Sequence, residues 1–176
     1  MQESTVRKEG IKMIIRLATP LDANEILTVM NDAENSGFML ANPGERQLKP
    51  ESIKNIIGNV NSTTKSGFFV AEEDGLLLGY LIVRGENMER TTHRASIVIG
   101  VHSNSRGKGV GSALFNYIFN WARQNELHRL ELTVIESNEH AIGLYKKIGF
   151  EVEGIRKNAL YIDGEYVNEI YMGKIL

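Results

Sequence analysis

The sequence predicts an α/β (α+β) domain, a mixed sheet with helices on both faces. Three observations carry this prediction. Short β-type runs rich in branched and aromatic residues alternate with amphipathic stretches at helical spacing along the 176 residues. Two Asp-Gly pairs, Asp74-Gly75 and Asp163-Gly164, stand between β-type runs and mark hairpin turns. A glycine-rich turn separates a nearly continuous apolar run, Ala95 to Val101, from a strongly amphipathic segment beginning at Val110.

Taken in order, residues 1–12 are polar and charged and read as a flexible extension outside a single domain of residues 13–176. Ile14 to Ala18 is the first strand. Thr19-Pro20 starts a helix, with Pro early and Asp22 and Glu25 in the opening turns. Asn31 to Pro50 is the least regular region. A second helix runs from Pro50 to about Val60, and Phe68 to Glu72 and Leu76 to Arg84 form two strands around Asp74-Gly75. Ala95 to Val101 is apolar enough to be expected buried on both faces. The helix after the glycine-rich turn carries Val110, Leu114, Tyr117, Ile118 and Trp121 on one side. Leu130 to Ile135 is a strand, a helix follows Asn138, and strands from Phe150 to about Lys157 and from Tyr166 to about Leu176 close the chain.

Composition narrows the function classes. A net charge of −2 gives no electrostatic footprint for nucleic acid or an anionic membrane. There are no cysteines, so no disulfide framework or thiolate metal site is available, and His93, His102, His128 and His140 lack zinc-ligand spacing. No metal is expected. Neither a secretory segment nor a membrane-length apolar stretch is visible, which predicts a cytoplasmic protein.

The segment Arg106-Gly107-Lys108-Gly109-Val110-Gly111 joins a strand to a helix N-terminus. Such a junction is an anion site, because unpaired N–H groups point outward and the helix dipole adds partial positive charge. Glycine lets the backbone approach a phosphate without a Cβ in the way. A Walker A loop would need glycine at position 102, which is His102, and Ser or Thr at 109, which is Gly109. A dinucleotide fingerprint would need glycine at 112, which is Ser112. What remains is Arg106-x-x-Gly109-x-Gly111. A second segment, Asn138-Glu139-His140-Ala141-Ile142-Gly143-Leu144-Tyr145-Lys146-Lys147-Ile148-Gly149-Phe150, has Asn138, Ala141, Tyr145 and Ile148 on one helix face, with Asn138 suited to the N-cap and Gly149 to the C-cap.

Both segments resemble the cofactor motifs of the GCN5-related N-acetyltransferase (GNAT) family, the first its pyrophosphate loop and the second its Asn-x-x-Ala-x-x-Leu-Tyr-x-x-x-Gly-Phe segment. The resemblance extends over residues 14–176. It implies a mostly antiparallel twisted sheet of about six to seven strands, acetyl-CoA as cosubstrate, and direct attack of an acceptor amine on the thioester in a ternary complex. It also implies that the pantetheine arm pairs with the strand at Ile99, Gly100 and Val101, from which the strand Leu130 to Ile135 splays away. The pyrophosphate then meets Arg106, Gly107, Lys108, Gly109, Val110, Gly111 and Ser112, while Asn138 and Ala141 flank the arm. Tyr145 donates a proton or hydrogen bond to the sulfur. Gly100 reads as either a bulge or a close-packing position.

The general base is where the pattern departs from the family. Ser96 occupies the position where many relatives carry Glu, and a serine without an activating partner cannot replace it. Glu136, at the end of the next strand, is the alternative, acting directly or through water, and Glu34 in the irregular segment is a site for a cationic amine. The resulting expectation is an N-acetyltransferase for a primary amine, either a small molecule or a peptide N-terminus. The alternatives are a catalytically weak acyl-CoA-binding or sensing module, which Ser96 favours and Tyr145 opposes, and a nucleotide switch, which the failed Walker spacing opposes. A homodimer is compatible with the resemblance, though nothing in the sequence demands one.

Overall fold

The computed structural model describes residues 4–8 and 11–176. Eight strands form one sheet in the order β1-β2-β3-β4-β5-β6-β8-β7. They are β1 (Ser4–Lys8), β2 (Ile11–Leu17), β3 (Gly67–Glu73), β4 (Leu76–Gly85), β5 (Arg94–Val101), β6 (Arg129–Ile135), β7 (Glu151–Ile162) and β8 (Glu165–Ile175). The helices are α1 (Ala23–Glu34), α2 (Pro50–Val60), α3 (Val110–Gln124) and α4 (Glu139–Lys147). Every strand pairing is antiparallel except β5 with β6.

The N-terminal expectation needs correction. Ser4–Lys8 pairs antiparallel with β2 and adds an eighth strand at the sheet edge, and β2 itself begins at Ile11. Residues 1–3 and 9–10 of the expected extension lie outside the described residues.

Side-chain alternation along the strands divides the core in two. On one face Phe69, Ala71, Leu81, Val83, Ala95, Ile97, Leu130 and Leu132 pack against Leu114, Phe115 and Ile118 of α3 and Tyr145 of α4. On the other, Phe68, Val70, Tyr80 and Ile82 pack against Ile26, Val29 and Met30 of α1 and Ile53 and Ile57 of α2. The two Asp-Gly turns form as expected, with Asp74, Gly75, Asp163 and Gly164 all at positive φ, the backbone such hairpins require.

The strand expected to be buried on both faces is open on one. Ala95 and Ile97 are buried under α3, whereas Ser96 and Val98 are exposed on the α1/α2 side. The cause is a split in the sheet. β5 and β6 pair only from Arg94–Arg129 to Ser96–Glu131, after which β6 continues along β8 and β5 continues alone on that side to Val101.

Candidate active site

The split has an anion cradle at its wide end. Gly107 and Gly109 hold φ of +72° and +87°, conformations that admit glycine with little strain, and Gly109 is the N-cap of α3. Nothing lies within 4 Å of where a Cβ would stand on either residue. Among the described residues, the backbone N–H groups from Gly107 to Ser112 have no acceptor, whereas those of Arg106 and Ala113 bond to Ser103 and Gly109. The loop is anchored from beneath. Asp32 of α1 accepts from the Ser103 N–H (2.6 Å) and hydroxyl (2.8 Å), and Arg106 Nε donates to the Val101 carbonyl (3.1 Å) with Nη2 3.7 Å from Asp32. Partial burial opposes ionisation of Asp32, but the Ser103 hydrogen bonds, with His102 and Arg106 nearby, hold its carboxyl below the ordinary 3.8. Lys108 is exposed beside the cradle.

Gly111 and Gly100 serve contact rather than turning. A Cβ on Gly111 would stand 2.9 Å from Leu144 Cδ2, so this glycine lets the start of α3 lie against α4 and joins the two sequence motifs physically. A Cβ on Gly100 would meet the Tyr80 ring at 2.5 Å, and the β4–β5 register runs through it without a shift. Close packing, not a bulge, explains Gly100. Ile99, Gly100 and Val101 form the free edge of β5 beyond the last rung shared with β6.

On α4, the Asn138 side chain accepts from the Ala141 N–H (3.2 Å), which caps the helix and leaves its amide nitrogen available. Gly149 at φ +93° ends the helix. Tyr145 is buried against Phe115 and Phe150, with ring centroids at 5.8 and 6.0 Å. Burial pushes its hydroxyl up to about 12, so the phenol keeps its proton at neutral pH.

The carboxylates fall differently from expectation. Glu34 is not in the irregular segment: it is the last residue of α1, 1% exposed, and accepts from Arg46 Nε at 2.7 Å. A cationic amine would have to displace that guanidinium. Glu136 is exposed and accepts from Asn168 Nδ2 at 3.1 Å. It follows directly after the C-terminal end of β6, which runs parallel to β5 and so ends toward the cradle. The sequence reading passed over Glu131. It is the direct cross-strand partner of Ser96, lies on the same open face, and is held by Arg129 Nε at 3.1 Å and by the Tyr171 hydroxyl. Only the parallel register reveals it, since 35 residues separate the two positions (131 − 96).

A family model described as an acetyltransferase (GNAT) domain matches residues 15–171. The chain belongs to that family. It is 39% identical over 110 residues to the L-amino acid N-acetyltransferase AaaT of Escherichia coli, a match covering 60% of this chain and 66% of that protein. The matched part thus spans slightly less than two thirds of that relative's length. The acetyltransferase of the GNAT family from Streptococcus pneumoniae has the same fold, with a TM-score of 0.88, 27% identity, and coverage of 93% of this chain and 99% of that one. An acetyltransferase structure from Salmonella typhimurium, solved with its cofactor acetyl-CoA, also shares the fold, with a TM-score of 0.82, 21% identity, and coverage of 93% and 94%. GNAT enzymes use acetyl-CoA, and the free N–H cradle and unpaired β5 edge of this GNAT domain fit a pyrophosphate joined to an extended arm. Among the described residues there is no cluster of three or more His, Cys, Asp or Glu side chains able to hold a metal, and no helix is long and apolar enough to cross a membrane.

Proposed function

We propose that this GNAT domain transfers the acetyl group of acetyl-CoA to a primary amine, by direct attack within a ternary complex. The observation that carries the reading is the continuity of the site: six free N–H groups, then an unpaired strand edge, ending at the Ser96–Glu131 rung. The N–H groups from Gly107 to Ser112, with Arg106 and Lys108 alongside, would hold the pyrophosphate. Ile99, Gly100 and Val101 would pair with the pantetheine arm, and the Asn138 amide nitrogen and Ala141 would flank it. Acetyl-CoA supplies the activated acetyl group and a thiolate leaving group. Tyr145, protonated to about 12, serves as the donor toward that thiolate. The amine proton passes to Glu131 at the rung or, for an acceptor already neutral, to solvent. Glu136 remains the second carboxylate proposed for this role, through water, a reading supported by its position just past the C-terminal end of β6. Acetyl-CoA is supplied inside the cell, which supports a cytoplasmic setting.

The experiment is a pH–rate profile under kcat/KM conditions with two acceptors, an alkylamine of pKa near ~10 and a peptide α-amine near ~8. Wild type is expected to show an inflection common to both acceptors, lost in Glu131→Gln and kept in Glu136→Gln. Inflections that simply follow each amine's own pKa would remove both carboxylates from the role. No turnover with any amine, despite acetyl-CoA binding, would favour the sensing module, the reading to which Ser96 points.

A further inference from the structure

Beyond the Ser96–Glu131 rung, on the side away from the phosphate cradle, the sheet carries a cavity of about 370 Å³. Asn59 and Val60 of α2, Thr63 and Ser66 of the following loop, and Arg84 and Asn87 from the end of β4 line it. Its wall is mixed, with Ile56 and Val60 of α2 apolar, and its charged group is Arg84. The position of Arg84 in the sheet sets it apart. It is the cross-strand partner of Ser96, so Arg84, Ser96 and Glu131 form one row across β4, β5 and β6 on the open face. Like Arg90, Arg94 and Arg123, it has no acidic partner among the described residues, whereas Arg16, Arg46, Arg106, Arg129 and Arg156 each have one. A second guanidinium on the same face, that of Arg94, carries a buried Nε without a hydrogen-bond partner. Arg94 stands two residues before Ser96 in the alternation of β5, and its carbonyl accepts from the Glu86 N–H just past the end of β4.

An exposed arginine at the wall of such a cavity is suited to a planar anion, because its fork of N–H donors matches a carboxylate in two places at once. The acceptor approaches the rung from this side, since the cradle and the β5 edge occupy the other. We infer that this cavity binds the carboxylate of the acceptor through Arg84, so that the acceptor is an amino acid or another amine bearing a carboxylate near its nitrogen. Asn59 and Asn87 offer amide donors to the same anion, and the amine then lies toward Ser96 and Glu131. A polyamine meets an uncompensated positive charge in this place and is disfavoured. The inference rests on the acetyltransfer reading for its direction, but the anion site itself does not.

The test compares α-amino acids with their amides and with the corresponding decarboxylated amines, in wild type, Arg84→Gln and Arg84→Lys. Wild type is expected to prefer the acids. Arg84→Gln is expected to raise KM for the acids about ten- to a hundredfold, the range for hydrogen bonds to a charged group, with kcat and the amides little changed. Arg84→Lys falls between, keeping the charge but losing the fork. Taking the acid-to-amide ratio in the variant over that in wild type cancels the different amine pKa values. A ratio unchanged by Arg84→Gln overturns the inference, as does a wild type that acetylates polyamines better than acids. Calorimetry of the amino acids alone gives a readout without turnover: binding weakened in Arg84→Gln and in Asn59→Ala supports the site, and equal binding in all three proteins overturns it. Failure of wild type to bind acetyl-CoA would strike the acetyltransfer reading instead, while the calorimetric arm still decides the anion site.

Discussion

On the proposed reading, the two ends of β5 recognise ligands by opposite means. At its C-terminal end the chain turns through Gly107 and Gly109, and the groups on offer are backbone N–H donors left free by the start of α3. At its N-terminal end they are side chains contributed one each by three strands, Arg84, Ser96 and Glu131. Backbone recognition is local: it needs a few residues at fixed spacing and tolerates any neighbour that leaves the donors free. Side-chain recognition is assembled by the sheet and can be rewritten one residue at a time. A shared cosubstrate therefore suits the first end and a variable acceptor the second.

The sharpest way to break this contrast is Gly109→Asp. It places a β-carbon on a residue at φ +87° and a negative charge among the free N–H groups. Left-handed strain alone costs about 1–3 kcal/mol. Ligand stabilisation, about 2.7 kcal/mol at a hundredfold excess over Kd, is expected to vanish in a thermal-shift titration with acetyl-CoA. Gly109→Ala carries the strain without the charge and is expected to retain part of the shift. An unchanged shift in a folded Gly109→Asp protein would dissolve the distinction between the two ends.

The second effect concerns the junction between them. Tyr145→Phe keeps the ring packed against Phe115 and Phe150 and removes a hydroxyl that has no hydrogen-bond partner among the described residues. Stability and acetyl-CoA affinity are therefore expected to hold, while kcat falls about a hundred- to ten-thousandfold, the usual range for a lost general acid. With the hydroxyl at about 12, the wild-type rate is not expected to fall from Tyr145 ionisation between pH 8 and about 10. A Phe variant with full activity would make Tyr145 a core residue alone.

The same contrast explains what could be read from the sequence. Asn138, Tyr145, Gly149 and the glycines of the loop were legible because caps, helix faces and positive-φ turns depend on residues a few positions apart. Hairpins at Asp74-Gly75 and Asp163-Gly164 were legible for the same reason. Glu131 and Arg84 were not, because their significance comes from lying beside Ser96, through pairings that no local pattern encodes. The open face of β5 was missed for a related reason: an apolar run reports what a strand can bury, not whether its neighbour has diverged. Glu34 was misread because α1 extends four residues into the segment that looked irregular (31 to 34), and because Arg46, twelve positions on, occupies its carboxylate.

The smallest expected effect tests whether the two ends are mechanically joined. Asp32 belongs to α1, which packs on the sheet face that carries Tyr80 and Ile82, yet it holds the turn that leads into the glycine-rich loop. Its carboxyl titrates below the 3.8 of an unfolded chain. A depressed folded value means that the contribution is complete above that pH and is lost as pH falls through the folded value. Asp32→Asn is thus expected to cost about 1 kcal/mol at pH 7, the scale of a weakened hydrogen-bond pair, and nothing once acid has protonated wild type. Urea midpoints of both proteins from pH 7 downward measure it, with convergence in acid as the signature. The acetyl-CoA thermal shift is expected to weaken by a few-fold in apparent affinity, since the cradle loses its anchor. A stability gap constant across the pH range would show that Asp32 acts by shape alone, and an unaltered affinity would show that the cradle stands independently of α1.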